Sequence, residues 1–289
     1  MDAALSLAPP TTHDIAARSR IALCYLWRHG RLPDLDDPQT FTEFVQYRKL
    51  HDRNLHMVAF ADKIAAKAMV AERLGDRWVT PTLWMGEFLP ATPVWPLPFV
   101  VKAHHGCNQN AFVRTGCEDW AAIRRAAHRW VRRDYAGVWL DEWLYRHLPR
   151  GLLVEPFIGS GGQLPIDYKF YVFAGRAEYV QVHLDRERAH RWMLFDRCWR
   201  QVSTRHGDTP PLPASLSHLI EAAEALGRQF DFVRVDLYET DGTPRFGEMT
   251  FYPGSGLDPF DPPRLDAEIG AHWARARREP SSRPPSLSP

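Results

Sequence analysis

Phe232-Val233-Arg234-Val235-Asp236-Leu237-Tyr238, then Glu239-Thr240-Asp241-Gly242-Thr243, then Pro244 to Met249, is the stretch that decides the fold. Alternation in the first arm puts Val233, Val235 and Leu237 on an apolar face and turns Arg234 and Asp236 the other way. Asp241-Gly242 tolerates the positive φ angles of a tight hairpin turn. On the returning arm the same period places Phe246, Glu248 and Thr250 on one face. The hairpin therefore gathers Asp236, Glu248 and Thr250 into an oxygen donor set that suits a hard cation such as Mg²⁺, with phosphates completing its shell. Taken alone, these residues read better as a surface ion pair between Arg234 and Glu248 on a solvated face. The following Phe251-Tyr252-Pro253-Gly254-Ser255-Gly256 weighs toward the ligand site. A proline and two glycines beyond a carboxylate strand make a tight loop whose amides can approach an anion.

Upstream of the hairpin, strands are expected at Gly151 to Ile158, Asp167 to Phe173, Ala177 to Leu184 and Arg191 to Phe195, with a helix at Leu216 to Phe230. The first half reads as helical. His13 to His29 carries apolar positions at Ile15, Ile21, Cys24 and Leu26. Thr40 to Arg53 opens with Thr40 and Glu43 in a capping-box arrangement, and Asp62 to Leu74 closes on Gly75. Phe99 to Ala103 reads as a short strand. Glu118 to Arg133 reads as a helix with Trp120, Ile123, Ala127 and Trp130 on one face. This order predicts an α+β fold with a mainly antiparallel sheet in the C-terminal half. Residues 1–12 read as a flexible tail, and the Pro- and Ser-rich residues 278–289 as a disordered one.

Composition removes several classes. The 289 residues are 45% hydrophobic and 25% charged, which rules out disorder across the whole chain and suits one large domain or two intimate subdomains. Lys plus Arg total 36 against 35 for Asp plus Glu, so the basic surplus of a general nucleic-acid coat is missing. The apolar run Ile21 to Trp27 is far short of the ~20 residues of a membrane span. Met1 to Pro10 lacks the pattern of a signal peptide. Four cysteines, Cys24, Cys107, Cys117 and Cys198, in a chain this long without an export pattern lead us to expect reduced thiols in the cytoplasm, and the lack of a CxxC gives no support to a zinc ribbon or a dithiol redox site.

Other polar residues stand where apolar pattern makes them conspicuous. Lys102 interrupts Phe99-Val100-Val101 and opens into His104-His105-Gly106-Cys107-Asn108-Gln109-Asn110, a small, amide-rich loop. A point charge followed by such a loop suits nucleotide phosphates, although a snorkelling lysine explains Lys102 equally well. Lys63 follows Asp62 at a helix start and alone reads as a solvated lysine. His104, His105 and Cys107 lack a distant second pair of ligands, so they do not make a structural zinc site. Val154-Glu155-Pro156-Phe157-Ile158 offers backbone edges to a base, with Phe157 beside the ring, or is simply a core strand with an exposed Glu155. Asp167 and Lys169 share one face of their strand. His183, Arg186 and Arg191 form a cationic cluster at a strand end, or a solvated mixed-charge loop.

In their order these pieces resemble the ATP-grasp superfamily, and more narrowly its TupA-like family, associated with teichuronopeptide and surface polysaccharide biosynthesis. The resemblance covers roughly residues 31–270. It is carried by Leu32-Pro33-Asp34, by Pro38, Thr40, Phe41 and Glu43, and by Asp52-Arg53-Asn54 and Ala61-Asp62-Lys63. It runs on through Val101-Lys102 with His105-Gly106 and through Asp167-Tyr168-Lys169-Phe170 to the final hairpin and its loop.

The resemblance implies an N-terminal helical region (13–98), a small subdomain with the phosphate loop (99–157) and a C-terminal subdomain with the metal site (158–277), sandwiching ATP. Lys63 and Lys102 are similar to the lysines that bind its phosphates, with His105, Gly106, Cys107 and Asn108 as the loop. Glu155, Pro156, Phe157 and Ile158 look like the adenine hinge, and Asp167, with Lys169 beside it, like the ribose carboxylate. Asp236 and Glu248 look like the Mg²⁺ carboxylates, and Thr250 stands where many members have Asn. Where TupA-like proteins often carry His-Gly-Ser-Gly, this chain has His105-Gly106-Cys107-Asn108.

The implied activity is ligation of a small-molecule carboxylate, such as an amino acid or sugar acid, to an amine through an acyl phosphate, without a protein nucleophile. Arg234 and one of Arg186, Arg191 and His183 are expected to offset charge at the terminal phosphate. Two other activities use parts of the same pattern. One is an ATP-dependent kinase of a glycan or small molecule. The other is a non-catalytic glycan-binding protein, suggested by 11 tryptophans but leaving Lys102 and the Asp236/Glu248 pair unexplained.

Overall fold

The computed structural model of the protein describes residues 12–135, 139–159, 163–187, 190–204 and 207–279. Residues 1–11 and 280–289 of the two expected tails lie outside them. Helices α1 (Thr12–His29), α2 (Phe41–His51), α3 (His56–Ala61) and α4 (Lys63–Leu74) lead into strands β1 (Trp84–Gly86), β2 (Phe99–Ala103) and β3 (Asn110–Val113). Helix α5 (Trp120–Arg132) and strands β4 (Leu152–Pro156), β5 (Asp167–Phe173), β6 (Arg176–Leu184) and β7 (Arg191–Asp196) follow. Helix α6 (Leu216–Gly227), the hairpin β8 (Phe232–Thr240) and β9 (Thr243–Thr250), and helix α7 (Arg264–Arg278) complete the order. The fold is α+β, as the element order predicts.

Two antiparallel sheets result. The smaller runs β1-β4-β2-β3 and the larger β7-β6-β5-β8-β9. A small core of Leu89, Phe99, Val101, Val113, Leu152 and Val154 is closed by Ala127, Trp120 and Trp130 of α5. The larger core takes the apolar face Val233, Val235 and Leu237 against α6, and α2, α3, α4 and α7 contribute to it. Most tryptophans serve these two cores, although Trp27 and Trp139 are exposed.

Local chemistry explains the joints. Thr40 and Glu43 cap α2 reciprocally, and Asp62 caps α4 by accepting from the Ile64 and Ala65 amides. Arg48 is buried with both terminal nitrogens of its guanidinium partnered. It donates to the carbonyls of Phe232 at 2.9 Å and Phe251 at 3.3 Å, pairs with Asp231, and stacks 4.4 Å from the Trp273 ring. Gly270 lets α7 reach the start of α2, since a Cβ there would lie 2.7 Å from Gln39 O.

Several expectations change. α1 buries Ala17, Ile21 and Tyr25, while Ile15 and Leu26 stay exposed. Asp119 caps α5; Glu118 instead accepts from the amides of Arg114, Thr115 and Gly116 in the preceding turn. α3, β1, β3 and α7 are additional elements, and β1 joins the small sheet from upstream of residue 99. Phe246 does not share a face with Glu248. The register pairs Asp236 with Glu248 but Leu237 with Phe246, leaving Gly247 as a β-bulge. Phe246 therefore enters the core, while Glu248 and Thr250 face the cavity described below.

Candidate active site

Strand β5 lies at the centre of the large sheet and is buried at every position, so its two charged residues need partners. Lys169 Nζ pairs with Asp167 Oδ2 at 2.7 Å and with Asp236 on β8. Arg234 grips Asp236 bidentately and donates to Thr250 Oγ1 at 3.2 Å. Arg186, after β6, donates to Asp167 Oδ2 at 2.8 Å. The result is a buried chain of alternating charge, Arg186–Asp167–Lys169–Asp236–Arg234, with Glu248 4.0 Å beyond it.

Burial pushes the Asp236 carboxyl up, but Arg234 and Lys169 outweigh it and hold the pKa below the ordinary value. Asp167 goes the other way: burial dominates, and its pKa is raised despite Lys169. Burial lowers the Arg234 pKa, yet Asp236 more than reverses this and secures the cation. His183 is driven far down, by burial and then by Lys169 and Arg234, so it sits neutral with Nδ1 2.8 Å from His190 Nε2.

A second cluster lies on the small sheet. Glu155 is buried, not exposed, and pairs with Lys102 at 2.6 Å and with Lys67 of α4. Burial raises its pKa, and the two lysines outweigh that and leave it lowered. Lys67 was not an expected site residue, although it stands one helical turn from Lys63 on the same side of α4. Lys63 donates to the Gly106 carbonyl at 2.7 Å and to the His104 carbonyl at 3.4 Å, tying the helix start to the loop. Asp62 Oδ1 lies 2.7 Å from His104 Nε2.

The loop departs from expectation at His105. Its ring is buried, with Nε2 3.0 Å from the Trp130 carbonyl, and burial lowers its pKa. A neutral ring donating into α5 anchors the loop and presents no charge to a phosphate. Cys107 lies 3.2 Å from the Tyr145 hydroxyl, and burial with nearby Glu248 pushes its thiol up, which disfavours the nucleophilic thiolate. In the Glu155 to Ile158 segment, the Phe157 amide donates to Pro98 O at 3.0 Å and the Ile158 carbonyl accepts from Thr240 at 3.0 Å. Phe157 packs edge-on against Phe112, beneath the Arg114 guanidinium.

A cavity of about 450 Å³ lies between the loop after β2 and the charged chain of the large sheet. Cys107 and Asn108 line it from the small-sheet loop. Lys169, His183, Arg186, Arg234, Glu248 and Thr250 line it from the large sheet. Asp167 and Asp236 lie beneath this floor and position its cations. Arg191 is not part of it: its guanidinium faces Asp185 at 3.3 Å. Lys63, Lys102 and the Glu155 to Ile158 segment stand outside this lining as well.

Tyr252, Gly254 and Ser255 line the cavity from the loop expected to approach an anion, and Glu142, Tyr135, Tyr145 and Asp258 line it without having been expected there. Burial raises the Glu142 pKa against the pull of Lys49, and burial brings Lys49 down to about 8. Lys49 in turn donates to the Ser255 carbonyl at 2.8 Å and the Ser255 hydroxyl at 2.7 Å. Only the Tyr252-Pro253-Gly254-Ser255 loop carried a signal in the sequence. Glu142 sits in an irregular connection without period.

Among the described residues no three His, Cys, Asp or Glu side chains converge as a metal cage. Of the expected oxygen donors, Glu248 and the Thr250 hydroxyl face the cavity, while Asp236, paired with Glu248 across β8 and β9, lies beneath them with both oxygens engaged by Arg234 and Lys169. That set fits Mg²⁺, which needs only one or two protein carboxylates when phosphates supply further oxygens.

A family model described as TupA-like ATPgrasp matches residues 43–274. No curated protein matches the chain. Among solved structures, D-alanine–D-alanine ligase from Bacillus anthracis is similar with TM-score 0.44 and 15% identity, covering 77% of this chain and 67% of that one. L-amino acid ligase from Bacillus licheniformis has TM-score 0.47 and 13% identity, covering 84% and 56%. D-alanine–D-alanine ligase from Helicobacter pylori has TM-score 0.44 and 14% identity, covering 85% and 68%. The chain thus spans about two thirds of the first and last and just over half of the second.

Proposed function

The chain belongs to the TupA-like ATP-grasp family, and from that membership together with the cavity we propose that it is an ATP- and Mg²⁺-dependent ligase joining a carboxylate to an amine. The observation that carries the reading is the buried Asp167–Lys169–Asp236–Arg234 chain, which presents fixed cations and Glu248 to a cavity facing the loop after β2. Such preorganised charge suits a reaction in which negative charge migrates between oxygens.

In the proposed reaction a substrate carboxylate oxygen attacks the terminal phosphorus of ATP, the bond to the bridging oxygen breaks, and ADP leaves. The amine then attacks the acyl phosphate, inorganic phosphate departs, and the amine loses a proton as the amide forms. Lys63 and Lys102 bind phosphates, and Glu155 to Ile158 flank the base. Arg234 and Arg186 offset the charge in transfer. Glu248, backed by Asp236, would hold Mg²⁺, which when bound would supply positive charge to the polyphosphate. No protein nucleophile takes part.

The family's association with surface polysaccharides suggests peptidyl-glycan, polysaccharide or specialised-metabolite synthesis as the setting, and a cytoplasmic site of action fits an ATP-consuming enzyme. Among the described residues no helix is long and apolar enough to cross a membrane.

The test is chromatography of nucleotide and product after incubation with paired panels of amino acids, uronic acids and amines. Amide together with ADP and phosphate is the expected result. A stable phosphate ester would establish a kinase instead, AMP with pyrophosphate would establish adenylation, and no turnover with glycan binding would establish a lectin.

A further inference from the structure

Helix α5 turns Ile123, Ala127 and Trp130 inward and leaves Arg124, Arg125, His128, Arg129 and Arg132 exposed on its outer side. The whole chain has a formal net charge of only +1, so this is a local concentration of positive charge. Among the described residues Arg125 alone of these arginines has a carboxylate partner, Asp119 at 3.8 Å, and both side chains are well exposed. A helix face of this kind is self-repelling, and nothing in the fold needs it: the α5 contribution to the core comes from the other side.

The spacing is informative. Arg124, His128 and Arg132 form one file and Arg125 and Arg129 a second, each step being four residues or ~6 Å of helix. An extended peptide presents every second side chain on one side at intervals of ~6.8 Å. Alternate acidic residues would therefore meet successive cations. Beside the files lies a groove of about 310 Å³ with Phe88, Leu89 and Ala121 in its wall, Arg124, Arg125 and His128 along it, and, among the described residues, Glu87 as its one carboxylate. Phe88 is exposed, with its ring 5.8 Å from that of His128.

We propose that the outer face of α5 docks an extended acidic peptide segment, with alternating carboxylates along the arginine files and one apolar side chain in the groove beside Phe88. A nucleic-acid strand or an anionic membrane would engage the arginines equally but has no single side chain fitted to the groove. This surface stands apart from the cavity, so the proposal does not depend on the ligase reading.

Fluorescence anisotropy on the full chain tests it, with a labelled Glu-Ser repeat peptide carrying one central leucine. Wild-type protein is expected to bind it with an affinity that falls as salt rises, and to bind the peptide with serine in place of leucine more weakly. The triple variant Arg124→Glu/Arg129→Glu/Arg132→Glu should lose at least tenfold in affinity with an unchanged melting temperature. Phe88→Ser should abolish the preference for leucine. If the triple variant melts early, Arg124→Gln/Arg132→Gln replaces it, with a loss of at least threefold expected. Equal binding by wild type and variants, indifference to the leucine, or tighter binding of oligo-dT or of phosphatidylcholine/phosphatidylglycerol vesicles than of the peptide overturns the proposal.

Discussion

Arg234 holds Asp236 with two parallel hydrogen bonds, Nε to Oδ1 at 2.7 Å and Nη2 to Oδ2 at 2.8 Å, while Glu248 on the next strand stands 4.0 Å from the same guanidinium. One cation thus serves a buried carboxylate and a more exposed one. Its position is set before any ligand arrives, which is the condition for electrostatic catalysis without reorganisation cost.

Replacing Arg234 by lysine keeps a charge but removes the fork. The turnover number is expected to fall about a hundredfold, the usual cost of one misplaced preorganised contact, with a smaller change in KM for ATP. Arg186→Ala should act in the same direction. Arg191→Ala should leave kcat intact, because its guanidinium faces Asp185 outside the cavity. Steady-state kinetics on the three variants decides, and a collapse confined to Arg191→Ala would transfer the role to Arg191.

Lys102→Met should weaken binding of a non-hydrolysable ATP analogue at least tenfold, about 1.4 kcal/mol, by isothermal titration. The fold should persist, since Lys67 still neutralises the buried Glu155. Removing both lysines would leave that carboxylate unpaired in the interior, and the double variant should melt far below either single one. Wild-type nucleotide affinity in Lys102→Met removes the lysine from the phosphate site.

Glu248→Gln and Asp236→Asn should both abolish turnover at low Mg²⁺, but only one should disturb the fold. Asp236 is fully buried between Lys169 and Arg234, so its neutralisation leaves two cations underpaired and lowers the melting temperature. Glu248 is about one-third exposed and should be thermally silent. Magnesium titration of activity beside calorimetry separates the two effects. Normal turnover of Glu248→Gln at low Mg²⁺ removes it from the metal site.

Lys49 makes a prediction about alkaline pH. Burial brings its pKa from 10.5 down to about 8. Between these values the unfolded chain binds the proton and the folded chain does not, so stability attributable to Lys49 rises with pH from about 8 to about 10.5. The slope cannot exceed about 1.4 kcal/mol per pH unit. Urea unfolding of wild type and Lys49→Met across this window should show a difference that grows with pH. A flat difference means that the lysine titrates normally in the folded chain.

Alternation alone made Arg234, Asp236 and the apolar face of β8 legible, because a strand with one buried face has a strict period. Phe246 escaped because a bulge has no period: Gly247 looks like any other strand glycine until its neighbour is known. Glu155 read as exposed because nothing local announces two lysines arriving from α4 and β2. His105 read as a phosphate contact because the Trp130 carbonyl it meets lies 25 residues away. The short α3, β1 and β3 carry too few residues to show a pattern. The Leu265, Ile269 and Trp273 spacing of α7 was readable in principle. Glu142 was not, since its burial depends on Lys49 and Ser255 from distant segments.

The bulge at Gly247 makes the final hairpin a splice of two half-ladders in opposite phase. On the turn side, parity follows Phe246; on the cavity side, it follows Glu248. Deleting Gly247 would leave Phe246 opposite Leu237 and Glu248 opposite Asp236, so both faces would survive with only the local twist relaxed. Deleting Met249 instead would invert Thr250 and everything after it relative to the cavity. The distance in sequence between the core residue Phe246 and the cavity-facing Glu248 is therefore free to be one residue or two, whereas the interval from Glu248 to Thr250 is locked.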